Sequence, residues 1–375
     1  MRIAQVAPLF ASVPPKLYGG TERVVSWLTE ELVQRGHEVT LFASGDSQTK
    51  AKLVPCCSQA LWGDPNVKDW LAYQVRMMEV IFADVSRFDV IHFHGDHMHY
   101  PLLRRNPCPN VTTLHGQLLP YDLKPLFDEF AEMPLVSISD AQRKPVPHAN
   151  WQATVYHGLP PDLHHYCDQP EDYLAFLGRI SPEKGLDDAI EIARRAGMKL
   201  KIAARIDPVD REYYETKIAP LMAAAGSLVE YVGEIGGQDK DEFLGRARAL
   251  IFPIAWPEPF GLVMIEAMAC GTPVIAYPNG SVPEVLEDGV TGFIVDDVPA
   301  AVEAVGRVGE LSRQVCRQTF DRRFQLGRMV NDYLRVYGRL IHCSAGARRL
   351  SFKARRPRAL PAPRPRSRNK VTFGG

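Results

Sequence analysis

Short continuous apolar runs alternate with amphipathic stretches along most of the chain. In the first half the runs Ile3–Ala7, Glu38–Ala43, Val90–Phe93, Val111–Leu114, Leu135–Ile138 and Thr154–Val155 predict strands. Stretches such as Thr21–Arg35 and Trp70–Val85 predict the helices between them. The scheme then repeats. Strands are predicted at Leu174–Leu177, Leu200–Ala204, Val229–Val232, Leu250–Phe252, Pro273–Ala276 and Gly292–Val295. Helices are predicted at Leu186–Ala196, Arg211–Ala225, Lys240–Ala247 and Leu262–Ala269. Apolar runs without polar alternation belong to strands buried on both faces, which are parallel strands covered by helices. Two such series imply an α/β chain of two doubly wound, Rossmann-like domains. The polar-biased stretch Gly158–Asp172, with Pro160, Pro161 and Pro170, reads as the linker. The expected organisation is therefore residues 1–157, residues 158–320, a helical segment 321–342, and a tail 343–375.

Composition agrees and adds one asymmetry. The 375 residues suit two domains, and 46% hydrophobic with 23% charged residues is ordinary for a soluble globular chain. Formal net charge is zero, yet residues 345–375 hold ten Lys/Arg and no Asp or Glu. The remaining chain holds 34 basic and 44 acidic residues, a net charge of −10. The Arg- and Pro-rich tail has too few apolar residues to pack and is expected to be disordered. It lacks the interleaved aromatics of a nucleic-acid binder, so no specific nucleic acid is expected; weak peripheral contact with an anionic membrane is the partner its charge allows. No run of 18 apolar residues predicts a membrane span, and the N-terminus reads as a strand rather than a leader. Seven cysteines, an odd count without a C-x-x-C pair, suit a reducing compartment, and the expected location is cytoplasmic.

Chemistry in open parallel sheets sits outside the carboxyl ends of strands. The first strand leads into Tyr18-Gly19-Gly20-Thr21-Glu22, where two glycines allow close backbone approach and Thr21 suits a helix cap. Free amides at such a helix start favour an anion, although a plain turn would carry the same residues. The first strand of the second half runs into Gly178-Arg179-Ile180-Ser181-Pro182-Glu183-Lys184-Gly185. Arg179 and Lys184 there fit a diphosphate clamp, or two solvated cations. After Leu250–Phe252 comes Trp256-Pro257-Glu258-Pro259-Phe260-Gly261-Leu262, continuing to Glu266 and Gly271. Pro257 and Pro259 hold Glu258 in the loop, and the helix begins near Phe260 or Gly261. Amides near Gly261, Leu262 and Val263 can receive an anionic oxygen. Glu266 lies among apolar Met264, Ile265, Ala267 and Met268 and needs a partner such as a ligand hydroxyl. Eight steps of ~100° leave the two glutamates about 80° apart even in an unbroken helix, so they are two separate contacts. The histidines 92, 94, 97 and 99 beside Asp96 permit a metal reading, but alternation points His92 and His94 to one strand face and structural roles are expected. His115 follows Val111–Leu114 at a strand end. No G-x-G-x-x-G or phosphate-loop motif is present.

Taken together, Gly178–Gly185, the paired-glutamate segment Glu258–Val274 and Gly280–Gly292 resemble family 4 of the retaining glycosyltransferases, over about residues 1–342. The resemblance implies a GT-B fold, with the two domains facing a cleft. It places the acceptor (carbohydrate, lipid-linked or small-molecule) on the first domain and a nucleoside-diphosphate sugar, UDP or GDP, on the second. Arg179 and Lys184 would bind the diphosphate, Glu266 the ribose, and Glu258 and His115 the transferred sugar. Amides and side chains of Phe260–Val263, the Gly19-Gly20 loop and the backbone about Glu234-Ile235 would complete the donor site. Transfer would proceed with retention and without a metal or other cofactor, and the final helix would cross back to the first domain. His157-Gly158 departs from the Asn-Gly pair of many members. The opening segment is similar to a subgroup near antibiotic-tailoring transferases. The alternatives are a sugar-nucleotide epimerase of the same fold and a non-catalytic nucleotide-sugar binder.

Overall fold

A computed structural model describes residues 1–16, 19–95 and 97–347. Its first sheet holds seven parallel strands: β1 (Arg2–Val6), β2 (Glu38–Ser44), β3 (Lys52–Cys57), β4 (Val90–Phe93), β5 (Asn110–Thr113), β6 (Leu135–Ser137) and β7 (Trp151–Thr154), in spatial order β3-β2-β1-β4-β5-β6-β7. The second holds β8 (Tyr173–Arg179), β9 (Lys199–Arg205), β10 (Val229–Gly233), β11 (Ala249–Phe252), β12 (Val274–Ala276) and β13 (Gly292–Ile294), in order β10-β9-β8-β11-β12-β13. Both orders reverse direction between the first strand and its fourth-in-sequence neighbour. That reversal opens a crevice at the carboxyl ends of β1 and β4, and of β8 and β11, where doubly wound sheets bind ligands. The two Rossmann-like halves and the cleft agree with the fold expected from the sequence.

Several elements differ from expectation. Strand β3 was not among the expected strands; it contains Pro55 and lies at the sheet edge, where a missing ladder donor is tolerated. The last strand of the first sheet is Trp151–Thr154 rather than Thr154–Val155. The first helix, Gly20–Gln34, begins at Gly20 with Gly19 in the cap position, so Thr21 is inside the helix and is not its cap. The stretch 211–225 is not one α-helix: a π-turn, Tyr214–Ile218, precedes Ala219–Ala225, where Pro220 cannot donate to the ladder. The final helix is Leu326–Ala347, separated from Arg313–Arg323 by a break where Leu159 and Gln325 form a bridge. Residues 343–347 thus belong to that helix, and the rest of the expected disordered tail lies outside the described residues.

The final helix crosses to the first sheet. Its Met329, Val330, Tyr333, Val336 and Tyr337 are buried with Val24, Leu28 and Leu32 of the first helix and Ile3, Val90 and Val111 of the strands. The opposite face of that sheet is covered by Met77, Met78 and Ile81 of helix Trp70–Phe82, with Leu103 and Phe127. Among the described residues no helix is long and apolar enough to cross a membrane.

Candidate active site

The loops at the two switch points close on one cleft of about 1070 Å³. Every candidate named from sequence lines it: Gly19, Gly20, His115, Arg179, Lys184, Glu234, Ile235, Glu258, Phe260, Gly261, Leu262, Val263 and Glu266. Helix Leu262–Ala269 starts at Gly261, whose φ of 75° is left-handed. A Cβ at Gly20 would touch Leu262 Cδ1 at 3.5 Å, so two helix N-termini face one another across the cleft. Their free amides and dipoles make the gap between them favourable for an anion.

The charged groups stand in pairs. Lys184 Nζ donates to Glu258 Oε2 at 2.6 Å, and Trp256 Nε1 donates to the same oxygen at 2.8 Å. The expected diphosphate cation and the expected sugar carboxylate therefore hold each other, with the ammonium 5.2 Å from the Trp256 ring. Arg179 at the end of β8 is caged by acids: Glu183 accepts from it, Asp210 lies 3.4 Å away and Asp207 3.8 Å. Burial raises the Asp210 carboxyl above its usual range; Arg179 pulls it down and Glu183 and Asp207 push it up. Glu266 is buried and accepts from Lys240. Burial alone would raise the Glu266 carboxyl, but Lys240, with His164 and Arg23, more than offsets it and the net direction is downward. Lys240, Arg23, Asp207 and Asp210 were not visible in the sequence as partners, because each comes from a different loop or helix; Glu183 lies four residues from Arg179 in the same segment.

Behind the cleft lies a layer of neutral histidines. His92, His94 and His157 are buried, and desolvation holds their imidazoles well below the ordinary range; burial lowers His115 to about 3. Their tautomers follow from their partners. Gln5 Nε2 donates to Tyr337 Oη at 3.1 Å, leaving its carbonyl to accept from His94 Nε2 at 2.6 Å. Neutral His94 then has Nδ1 as acceptor, so His115 Nε2 donates to it at 3.1 Å. His115 Nδ1 is left as a buried acceptor with no partner among the described residues. Tyr337 Oη in turn donates to His92 Nδ1 at 2.7 Å, and His92 Nε2 to Thr113 Oγ1 at 2.8 Å. His157, set aside in sequence as a departure, stacks on His115 at 5.3 Å and meets the Phe260 edge at 4.8 Å, joining the two halves.

Among the described residues one trio has metal-ligand composition: His164, Asp241 and Cys270. Here His164 Nδ1 hydrogen-bonds Asp241 Oδ1 at 3.1 Å, and burial, together with Asp241, pushes the Cys270 thiol up, against the thiolate a metal needs.

Two doubly wound halves facing a cleft, with a helix N-terminus on each side and cations on the wall of the second, define the GT-B class of architecture. The family model Glycosyl transferases group 1 matches residues 167–314, and Glycosyltransferase Family 4 matches residues 18–143. Between them they span most of both halves, and the chain belongs to this family of glycosyltransferases. An uncharacterised glycosyltransferase of Methanocaldococcus jannaschii, MJ1607, is 25% identical over 339 residues, 79% of this chain and 85% of the relative. Other matches are partial: the chain spans 45% of the length of one curated relative and 30% of another. Among solved structures, AviGT4, a glycosyltransferase involved in avilamycin A biosynthesis, is 24% identical with a TM-score of 0.67, covering 91% of this chain and 98% of that one. Anabaena Alr3699/HepE, solved with UDP and glucose, is 15% identical with a TM-score of 0.72, covering 90% and 99%. These likenesses are to the fold.

Proposed function

We propose that the protein transfers a sugar, with retention, from a nucleoside-diphosphate sugar to a hydroxyl acceptor, without a metal. The carrying observation is the convergence of Arg179, Lys184 and the amides of the Leu262 helix from the ends of β8 and β11 onto one cleft wall. A leaving diphosphate gains negative charge as the glycosidic bond breaks, and preorganised cations and amides stabilise that charge where it develops. They supply the positive charge a metal would otherwise bring. On this reading the diphosphate displaces the acids from Arg179 and takes Lys184 from Glu258, whose carboxylate turns to the sugar hydroxyls. Glu266 accepts from the ribose, and His115 Nδ1 accepts from a hydroxyl of the transferred sugar. Retention by front-face attack, with the leaving phosphate taking the acceptor proton, needs no further base. The UDP bound by Alr3699/HepE makes UDP the first base to try. Unpaired thiols, including buried Cys56, Cys57, Cys270 and Cys316, support a reducing, cytoplasmic setting.

The test is a calorimetric and thermal-shift screen of UDP-, GDP- and ADP-sugars. One series is expected to bind and stabilise the chain; binding of none overturns the reading. Product analysis separates transfer from epimerisation, since an epimerase consumes the donor without an acceptor.

A further inference from the structure

Resting on the transferase reading above, we propose that the acceptor is an apolar, phosphate-free hydroxyl compound, an aromatic or alicyclic aglycone whose body lies on the first-domain wall of the cleft. That wall is built from Phe10 after β1, Met77 and Met78 of helix Trp70–Phe82, and Leu118, Leu119 and Leu123 at the start of helix Pro120–Glu129. Trp62 stands at the rim, 53% exposed, beneath the Arg205 guanidinium of the opposite half at 5.0 Å. Leu119 is likewise 53% exposed while lining the cleft. Trp62 and Leu119, both half exposed, are uncovered apolar area that an occupant would bury, and Met77 and Met78, themselves buried, back the wall.

The charges on this wall do not favour a phosphorylated acceptor. Its described charged residues are Glu22, Arg23 and Asp122. Arg23 also helps to lower the Glu266 carboxyl of the donor wall, so its charge is shared between the two sides. Glu22 is buried, and Asp122 adds a second acid. An anionic acceptor would face carboxylates on its own side and the donor diphosphate on the other. The apolar wall does not read as a membrane dock either. Lys68, Arg76 and Lys124 are interspersed with Asp69, Glu79 and Asp122 on the same two helices and their leads, giving no single-sign field for anionic lipid.

The experiment uses the full chain and three probes: 2-naphthol, 2-naphthyl phosphate, and vesicles of phosphatidylglycerol and phosphatidylethanolamine. Binding is read by calorimetry, and by quenching of tryptophan fluorescence with Trp62 at the rim. The variant is Leu119→Asp. Leu119 is the cap residue of its helix, where aspartate is favoured, so the fold is kept. The expected result is 2-naphthol binding that weakens roughly tenfold in Leu119→Asp, through lost apolar contact, with an unchanged melting temperature. The phosphate ester is expected to bind at least tenfold more weakly than the naphthol. Three results overturn the proposal: no naphthol binding, equal or tighter binding of the ester, or adsorption to vesicles in place of naphthol binding. The nucleotide-sugar thermal shift is measured on the same samples. Loss of that shift with naphthol binding intact tells against the transferase reading alone, and the reverse pattern against the acceptor class alone.

Discussion

Arg179 and Glu258 are each ion-paired with protein groups, so the proposed chemistry requires an exchange of partners. On the proposed reading Arg179 gives up carboxylates for phosphate oxygens, which its planar fork can grip with two parallel hydrogen bonds. Arg179→Ala is expected to lower kcat/KM by about 10²-fold or more, the usual effect of removing one charge-stabilising donor, and Arg179→Lys to restore only part of it. Steady-state kinetics with the donor found in the screen decides this; unchanged turnover in Arg179→Ala would remove the diphosphate clamp. Glu258→Gln tests the sugar contact. The amide oxygen can still accept from Trp256, but the charge that holds Lys184 at 2.6 Å is gone. A hydrogen bond to a charged group is worth about 1.5–3 kcal/mol, so kcat is expected to fall roughly 10- to 100-fold. Donor affinity should hold or improve, because Lys184 is released for the diphosphate. A variant with weakened donor binding and intact kcat would assign Glu258 to the ground state instead.

At the scale of elements, the position of Glu258 depends on a neighbouring turn. Gly280, after β12, has a left-handed φ of 63°, and a Cβ there would lie 2.2 Å from the Glu258 carbonyl oxygen and 2.3 Å from its nitrogen. Gly280→Ala must push the Glu258 loop away, and backbone strain of this kind costs on the order of 1–3 kcal/mol. The expected outcome is a folded protein with a lowered midpoint in urea and a kcat reduced at least tenfold; a fully active variant would show that the loop has slack. What the sequence made legible follows the same divide between local and distant. Loops after strands were locatable because apolar runs end where proline, glycine and charge begin, and so the thirteen candidates fall in one cleft. The helix start at Leu262 was readable from Pro257, Pro259 and Gly261. Pairings were not. Lys240 meets Glu266 and Asp210 meets Arg179 only because separate crossovers return to the same sheet edge, and no spacing along the chain encodes that. Strand β3 was not read from the sequence; it contains Pro55, whose missing donor matters only if the strand is central. Glu284 was legible as part of a motif, but its role was not: its carboxylate accepts from the Asp140 and Ala141 amides of the other half at 2.7 and 2.6 Å.

Across the whole molecule, the final helix returns its tyrosines to the first sheet and seals the histidine layer under the cleft. Tyr337 lies 332 residues from Gln5 in sequence, yet its hydroxyl accepts from that side chain and donates to His92. The seal keeps the layer neutral, and neutrality makes stability depend on pH. Histidine in an unfolded chain titrates near ~6.5. In the folded chain His115 titrates at about 3, and burial also holds His92, His94, His99 and His157 well below the ordinary value. Between those limits the unfolded state binds more protons than the folded one, so stability is complete above about pH 6.5 and drains away as pH falls towards 3. The melting temperature is expected to be level from about pH 8 to 7 and to drop steadily from about pH 6.5 to 5, above the range in which ordinary carboxylates titrate. Tyr337→Phe locates the effect. It leaves the Gln5 amide and His92 Nδ1 without their shared partner, a loss of about 1–3 kcal/mol at pH 7 by urea unfolding. It also removes the hydroxyl that donates to His92 Nδ1 and so favours the neutral imidazole; His92 should take up its proton more readily when folded, and the slope below pH 6.5 should become shallower than in the wild type. A melting temperature flat between pH 7 and 5 in the wild type would mean that the folded histidines protonate freely, and the helix would then be packing on the sheet without sealing it.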